Sequence, residues 1–392
     1  MEGFLDRIIC GDCREVLKRL PEESIHMVMF SPPYWGLRNY GAEAESAWGG
    51  DPSCRHEWGG AKFCTKCGAW RGQLGLEPDF RMYIQHLVEV MREVRRVLRR
   101  DGSAYIVLGD TYAGRTALDG LSSGSKGEGR PPVPRSLEKC KLLIPHRVAI
   151  ALVDDGWIVR NDIVWYKPNH LPSSVKDRLT NAYEFVFHLT RSRRYYYDLD
   201  AIREPHTSIK DLGRTRLDTK TPKYDLAVTL EAGKVNPTSY LGQHPLGKNP
   251  GDVVRVGFTK HDLAVGRVDS FSYPDPLHAR PYHPLGRNPG DFWEIPARPF
   301  KGAHFATYPP ELCVRPILSS CPPGGVVLDP MCGSGTTLLV AKALGRHFIG
   351  IEIVPGYVEM ARRRVAKVAA PLAPITNIRD ALVAVREAGR AS

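Results

Sequence analysis

Val326-Val327-Leu328-Asp329-Pro330-Met331-Cys332-Gly333-Ser334-Gly335-Thr336-Thr337 is the stretch on which the fold turns. Its apolar start predicts a strand over 326–328, the glycines a turn, and the apolar spacing from Thr336 to Leu344 a helix. Glycines in such a turn let the backbone approach a ligand closely, and a helix N-terminus offers N–H groups with no intrahelical partner. The next predicted strand, His347 to Ile351, ends at Glu352. That acid follows Asp329 by about 20 residues, the spacing at which a carboxylate meets ribose hydroxyls in nucleoside-binding strand–helix–strand units. No lysine follows the turn as a phosphate-binding loop requires, and two acids here would repel a pyrophosphate. A cationic sulfonium nucleoside suits the pair better.

Working outward, the same alternation recurs. Ile25 to Phe30 is an apolar strand that stops at Ser31-Pro32-Pro33-Tyr34-Trp35, a rigid loop because proline cannot continue a ladder. Phe80, Tyr83, Ile84, Leu87, Val88, Met91, Val94 and Leu98 recur at three and four, which predicts an amphipathic helix over Asp79 to Leu98. Asp101-Gly102 is expected to end it before a strand from Ala104 to Leu108. Further helices are predicted over Leu142 to Val153, Pro310 to Ser320 and Pro355 to Val368, and strands over Ile158 to Tyr166 and Tyr183 to Leu189. Alternating strands and helices imply a doubly wound α/β layer with a mostly parallel sheet. Residues 113–134, rich in Gly, Ser, Pro and charge, are expected to form a mobile loop. From 204 to 282 the periodicity fades, which marks an insertion. It holds one copy of a repeated unit, His244-Pro-Leu-Gly-Lys-Asn-Pro-Gly-Asp252, which returns as His283-Pro-Leu-Gly-Arg-Asn-Pro-Gly-Asp291, either a functional turn-rich unit or a bare local duplication.

Hydrophobic residues make up 42% and charged residues 25%, both ordinary, so the informative departure is a formal net charge of +11 with a pI near 9.2. Such an excess favours a polyanionic partner. Met1 to Cys10 has no apolar stretch long enough for a signal peptide, and no apolar run reaches the roughly 18 residues of a membrane span. A cytoplasmic location with no membrane partner is expected. Nine scattered cysteines, an odd count, fit a reducing compartment better than a disulfide framework.

Ser31-Pro32-Pro33-Tyr34 has a chemical logic for methylating an amino group on a base. The nitrogen lone pair is delocalised into the ring, so attack requires acceptors that draw its hydrogens toward a pyramidal arrangement. The Ser31 side chain and the Pro32 carbonyl are candidates for those acceptors, and the Tyr34 ring for stacking on a base flipped out of the duplex.

With this motif and the Asp329 to Thr337 turn together, the chain resembles the amino-group DNA methyltransferases, whose signature is Asp, Asn or Ser before Pro-Pro and an aromatic residue. The order, with Ser31 to Trp35 early and the glycine turn late, resembles the circularly permuted β class, over about three quarters of the chain. Gly11-Asp12 resembles the element whose acid meets the cofactor adenine, although Asp12 also suits an N-cap for a helix over Cys13 to Leu20. Val164-Trp165-Tyr166-Lys167-Pro168-Asn169 resembles a catalytic-face motif, although Trp165 and Tyr166 also suit plain strand packing. His304-Phe305-Ala306-Thr307-Tyr308-Pro309 resembles the element that closes over the methionine part of S-adenosylmethionine (SAM).

The resemblance implies a Rossmann-like SAM-dependent methyltransferase sheet, with Ser31, Pro32, Pro33 and Tyr34 catalytic. It also implies that Asp12, Ser31, His304, Phe305, Ala306, Thr307, Asp329, Pro330, Cys332, Gly333, Ser334, Gly335, Thr336 and Glu352 bind SAM. The catalytic half is then 1–47 with 73–203, and the SAM-binding half 283–370, followed by a tail, 371–392. The insertion 204–282 falls where the β class places target recognition, and its Lys, Arg, His and Asn residues suit phosphate and base-edge contacts.

Serine in the first motif position is commonest among cytosine-N4 enzymes of this family, so cytosine N4 is the expected target and adenine N6 the alternative. DNA is the implied partner, with room for a cognate restriction endonuclease. No cysteine follows a proline, as the nucleophile of a cytosine-C5 enzyme normally does, so no covalent intermediate is expected. Glutamine-modifying protein methyltransferases carry a similar Asn-Pro-Pro-Tyr, but there the cofactor motif comes first. An RNA methyltransferase and an inactive nucleic-acid-binding module complete the alternatives.

Residues 48–72 form a second insertion. Cys54-Arg55-His56 and Cys64-Thr65-Lys66-Cys67 supply four soft or borderline ligands in two close pairs, the pattern of a closed structural zinc site, with His56 the least secure. A free-thiol loop or a redox pair is the other outcome, the latter disfavoured because the dithiol does not start a helix. The run Arg191-Ser192-Arg193-Arg194-Tyr195-Tyr196-Tyr197 suits either a nucleic-acid backbone or a charged edge strand.

Overall fold

Apolar runs of strand length become the centre of an eight-stranded sheet in the computed structural model, which describes residues 1–60, 62–113, 135–173, 175, 177–204, 287–298 and 307–391. In chain order the elements are β1 (Arg7–Cys10), α1 (Cys13–Lys18), β2 (Ile25–Phe30), β3 (Glu45–Trp48), β4 (Trp70–Gln73), α2 (Phe80–Val97), β5 (Leu98–Leu108), α3 (Ile144–Asp154), β6 (Ile158–Tyr166), β7 (Tyr183–Thr190) and β8 (Phe292–Glu294). They continue with α4 (Glu311–Ser320), β9 (Val326–Asp329), α5 (Thr336–Ala343), β10 (His347–Glu352), α6 (Pro355–Ala366) and α7 (Ile378–Ala391).

The strand order is β1-β10-β9-β2-β5-β7-β6-β8, and β3 with β4 forms a separate antiparallel hairpin. Strands β1, β10, β9, β2 and β5 are mutually parallel, and β7 runs antiparallel to β5. From β9 the chain passes through α5 to β10 on one side, whereas from β2 it passes through α2 to β5 on the other. The order therefore reverses between β9 and β2, and in open α/β sheets the crevice beyond the carboxyl ends at such a switch is where ligands bind.

Alternation along the strands separates two layers. Val28, Phe30, Ile349 and Ile351 join one buried cluster with residues of α1, α2 and α3. On the other face a Cβ at Gly350 would stand 2.3 Å from Leu338 of α5, so only glycine lets that helix seat so closely. The segment set apart as a tail carries α7, which packs on α4 and α5 and buries Ala381 and Val385.

Where the sequence predicts a break at Asp101-Gly102, the structure has a longer strand. β5 starts at Leu98, directly after α2, and a bulge against Ile25 and Met27 takes up the extra residues. Gly102 makes this possible, since a Cβ there would lie 2.7 Å from Leu98 and 2.8 Å from the His26 carbonyl. The basic run after β7 is not a strand. Arg191 donates to the carbonyls of Arg95 and Leu98 at the end of α2, and the rings of Tyr195 and Tyr197 lie against His188.

The chain divides into two compact units, one of Met1–Pro168, Glu184–Ala201 and Asp291–Ser392, the other of Asn169–Tyr183 and Ile202–Gly290. In the second unit, Glu204 and Arg287 exchange both backbone hydrogen bonds, and the Arg287 guanidinium meets the Glu204 carboxylate at 2.6 Å. These paired residues flank the long insertion, Glu204 at its start and Arg287 five residues beyond its end. The remainder of that insertion, the first repeat copy and residues 114–134 lie outside the described residues. No helix among the described residues is long and apolar enough to cross a membrane.

Candidate active site

Four strand ends converge at the switch. Pairing Val28 with Leu328 brings the ends of β2 and β9 side by side, so Ser31 and Asp329 leave the sheet as neighbours. Pairing Cys10 with Glu352 does the same for β1 and β10 and puts Asp12 just beyond Glu352.

Glu352 is 8% exposed, and both its oxygens are held by backbone N–H groups, from Gly333 and Val354, at 2.9 Å each. Burial pushes its carboxyl above the usual glutamate value, and those N–H groups limit the rise. Cys332 joins the same turn, its amide donating to the Ile351 carbonyl at 2.9 Å. Below the turn, Arg364 donates to the Ser334 carbonyl at 2.6 Å and hydroxyl at 2.7 Å and reaches the Thr336 hydroxyl. Gly335 takes a left-handed φ of 79°, and a Cβ there would sit 3.0 Å from Ala361 of α6.

Asp329 is 2% exposed. The Met331 amide donates to one oxygen at 3.1 Å, and the Tyr308 hydroxyl reaches the other at only 3.5 Å while also bonding Thr337. Burial without a counter-charge pushes this carboxyl up to about 7. A cation beside it would relieve that cost, which is the fit expected for a sulfonium ligand. Pro330 follows in the turn, and Thr307 is half-buried next to Tyr308. His304, Phe305 and Ala306 lie outside the described residues.

Asp12 is the N-cap of α1, so the structural alternative is realised. It accepts from the Arg14 amide at 2.9 Å, and its carboxylate also holds the Arg14 guanidinium at 2.6 Å and the Ser46 hydroxyl at 2.7 Å. Burial works against ionisation here, but Arg14 outweighs it and, with Ser46, holds the carboxyl below the ordinary aspartate value.

In the Ser31–Trp35 loop, the Pro33 carbonyl accepts from the Tyr83 hydroxyl at 2.8 Å and the Trp35 indole donates to the Glu77 carbonyl at 3.0 Å. The Tyr34 hydroxyl donates to Glu184 at 2.9 Å, and Lys167 pairs with the other oxygen of that carboxylate. A Cβ on Gly109 would come within 2.6 Å of the Tyr34 ring, so glycine at the end of β5 is what admits the ring. Trp165 and Tyr166 do pack as strand residues: the Trp165 indole donates to the Ile295 carbonyl at 2.8 Å, and Tyr166 stacks on Phe292. From that motif it is Lys167 that shares Glu184 with Tyr34.

Sequence inspection missed Asp110. It follows Gly109, and one oxygen caps α3 by accepting from the Ile144 amide at 3.1 Å, with the Thr111 amide at 2.9 Å. Its other oxygen is buried with no hydrogen-bond partner among the described residues, and burial pushes its carboxyl up. An acid at a strand end, as at Asp329 and Glu352, was the signal available.

Farther out, the hairpin between β3 and β4 gathers Cys54, His56, Cys64 and Cys67, whose ligand atoms all lie within 4.8 Å of one another. The Cys54 and Cys64 sulfurs are 3.9 Å apart, and Cys67 Sγ lies 3.3 Å from His56 Nδ1. Tetrahedral zinc with bonds of about 2.3 Å separates sulfur ligands by about 3.8 Å, so the spacing fits. Gly50 allows the closure, since a Cβ there would lie 2.8 Å from the Cys67 sulfur.

The Glu352 geometry has a measurable consequence. Glu352→Ala strands two buried N–H groups at about 1–3 kcal/mol each, so urea unfolding should show a loss of about 2–5 kcal/mol, of which Glu352→Gln recovers only a part, because an amide keeps one acceptor oxygen and turns an NH2 toward the other N–H.

Comparison with known proteins identifies the family. The family described as DNA methylase, of the N6 and N4 amino type, matches residues 25–363. The Type II methyltransferase M.Cfr9I of Citrobacter freundii is 34% identical over 360 residues, covering 90% of this chain and 85% of its own. The Type II methyltransferase M.SmaI of Serratia marcescens is 31% identical over 366 residues, covering 92% and 91%. Among solved structures, the PvuII DNA methyltransferase, described as cytosine-N4-specific, aligns over 98% of this chain and 93% of its own at 17% identity, with a TM-score of 0.49. The chain therefore belongs to the N6/N4 DNA methylase family, the SAM-dependent methyltransferases that act on amino groups of DNA bases.

Proposed function

We propose that this chain is a site-specific DNA methyltransferase that modifies the exocyclic N4 of cytosine, with adenine N6 as the second reading, and that it serves in restriction and modification as its Type II relatives' names indicate. The observation that carries it is the meeting of the Ser31–Tyr34 loop with the buried acid and glycine turn after β9 at adjoining strand ends. Serine in the first loop position favours cytosine. The basic insertion 204–282 is assigned to reading the target sequence.

When bound, SAM supplies an electrophilic methyl group on a cationic sulfur. Asp329 offers the charge that favours this cation, and Glu352 and the glycine turn offer acceptors and a close backbone for the nucleoside. Ser31 Oγ and the Pro32 carbonyl accept the amino hydrogens of the flipped base and turn the nitrogen lone pair out of the ring. Tyr34, fixed at its hydroxyl by Glu184, presents a ring face for stacking. As the nitrogen gains the methyl it must lose a proton, and the unpaired oxygen of Asp110 is assigned as its acceptor. Asp110→Asn should lower the single-turnover methylation rate at least tenfold with SAM affinity unchanged.

One zinc ion is assigned to Cys54, His56, Cys64 and Cys67 in a closed structural role. Purified protein should carry one equivalent by elemental analysis, and Cys67→Ser should lose most of it.

Methyl-labelled SAM with duplex DNA, followed by nucleoside digestion and mass spectrometry, tests the reaction. N4-methylcytosine is the expected product; N6-methyladenine would overturn the base assignment, and an unlabelled digest the activity. A pH titration tests the cofactor site. Since Asp329 holds its proton below about pH 7 and a cation favours the ionised form, SAM binding should weaken as pH falls. Calorimetry should give a Kd roughly tenfold weaker at pH 6 than at pH 8. Asp329→Asn should bind weakly throughout, without that slope.

A further inference from the structure

Besides the metal cluster, the β3–β4 hairpin makes a set of contacts that the methyl-transfer chemistry leaves unexplained. Gln73 of β4, 4% exposed, donates through Nε2 to the Arg38 carbonyl at 2.9 Å, and its Oε1 accepts the Tyr40 amide at 2.6 Å. The loop so held stands at the Glu352 end of the sheet. Tyr40 meets Tyr357 of α6 edge to face at 6.3 Å, and burial and then the balance of Arg38, Tyr357 and Glu352 around it raise its phenol. From β3, Ser46 donates to Asp12, and Trp48 lies under the Arg14 guanidinium at 3.7 Å from ring centroid to carbon. Hence β3 grips the acid beyond β1, and β4 grips the loop that faces β10.

A third tether runs to the catalytic loop. Trp48 and Trp70 stack on His86 at 4.8 and 5.9 Å. His86 Nδ1 lies 2.9 Å from Glu77, which is fully buried and accepts the Gly75 amide at 2.8 Å through its other oxygen. The Gly75 carbonyl accepts the Gly36 amide at 2.8 Å, and a Cβ on Gly75 would come within 3.2 Å of Pro33. The two tryptophans bracket the segment that holds the four metal ligands, so their spacing is set by how that segment closes. A two-stranded hairpin of this size has too little core to fix its own geometry, which a metal cross-link would supply.

We propose that the metal-bound β3–β4 hairpin is a positioning device for the cofactor pocket: through Gln73 and Ser46 it holds the Arg38–Tyr40 loop and Asp12 against the Glu352 end of the sheet, so that affinity for SAM depends on the metal. This rests on the assignments of zinc and of SAM given above. Gln73 is a positioning residue, which acts through the loop it holds.

Measurement of bound zinc and of SAM affinity on the same full-length samples separates the possibilities. Wild-type protein stripped of zinc with a chelator should bind SAM at least tenfold more weakly by calorimetry, and zinc added back should restore it. Gln73→Ala, which leaves all four ligands in place, should keep one zinc per chain, weaken the SAM Kd at least fivefold and leave kcat at saturating SAM within twofold. Zinc that is present but removable with less than a twofold change in SAM affinity would overturn the positioning role while the zinc assignment stands. Protein without zinc, and unresponsive to added zinc, would overturn both. If the stripped protein unfolds, Gln73→Ala decides: zinc retained with wild-type SAM affinity would sink the proposal.

Discussion

The carboxylate of Glu352, out of water and held by the amides of Gly333 and Val354, is the constraint around which the site is built. A buried carboxylate is tolerated only where donors surround it, so the glycine turn after β9 and the corner after β10 must take one shape together. That shape fixes the start of α5 and brings Asp329 to the neighbouring strand end, where the Met331 amide and the Thr337 and Tyr308 hydroxyls surround it. Both acids are pushed up by burial, and Asp329, the more deeply buried and facing the Glu352 charge, is left at about 7. Two buried acids raised by burial at neighbouring strand ends suit a nucleoside that brings its own cation.

On the other side of the switch the constraint is steric. Tyr34 can stand at the end of β2 only because Gly109 leaves room at the end of β5, and its hydroxyl is fixed by Glu184 with Lys167 behind it. The ring is thus held from two further strands, which gives a loop residue the precision of the sheet. Asp110 belongs to the same corner and caps α3 with one oxygen, while the other has no hydrogen-bond partner among the described residues. A helix cap and a proton acceptor are compatible roles for one carboxyl, since each uses a different oxygen.

Much of the fold was legible because parallel strands are buried on both faces and read as continuous apolar runs, as Ile25 to Phe30 and Val326 to Asp329 do. Of the elements that went unread, β1, β3, β4 and β8 are three or four residues long, too short for any period to show, whereas α7 is fourteen residues long and was passed over in the segment set apart as a tail. Gly102 was misread because glycine signals a break and close backbone approach equally well, and only the neighbouring strand tells which. At the site, the acids and glycines stood in local motifs and were found. Gln73, Glu77, His86 and Asp110 were not, since each acts through partners supplied by other elements.

By itself the sequence determined the family, the order of the two motif-bearing segments, the candidate loops and the four Cys and His residues that cluster, because each of these is written in residues close together along the chain. Tertiary structure alone decided that Asp12 caps a helix while holding Arg14 and Ser46, that the arginine after β7 ties down α2, and that an inserted hairpin is tied both to Asp12 and to the Arg38–Tyr40 loop. The physical reason is range. Turn chemistry and periodicity act over a few residues, whereas the burial and pairing that settle a side chain's partner depend on which distant strand the packing brings beside it.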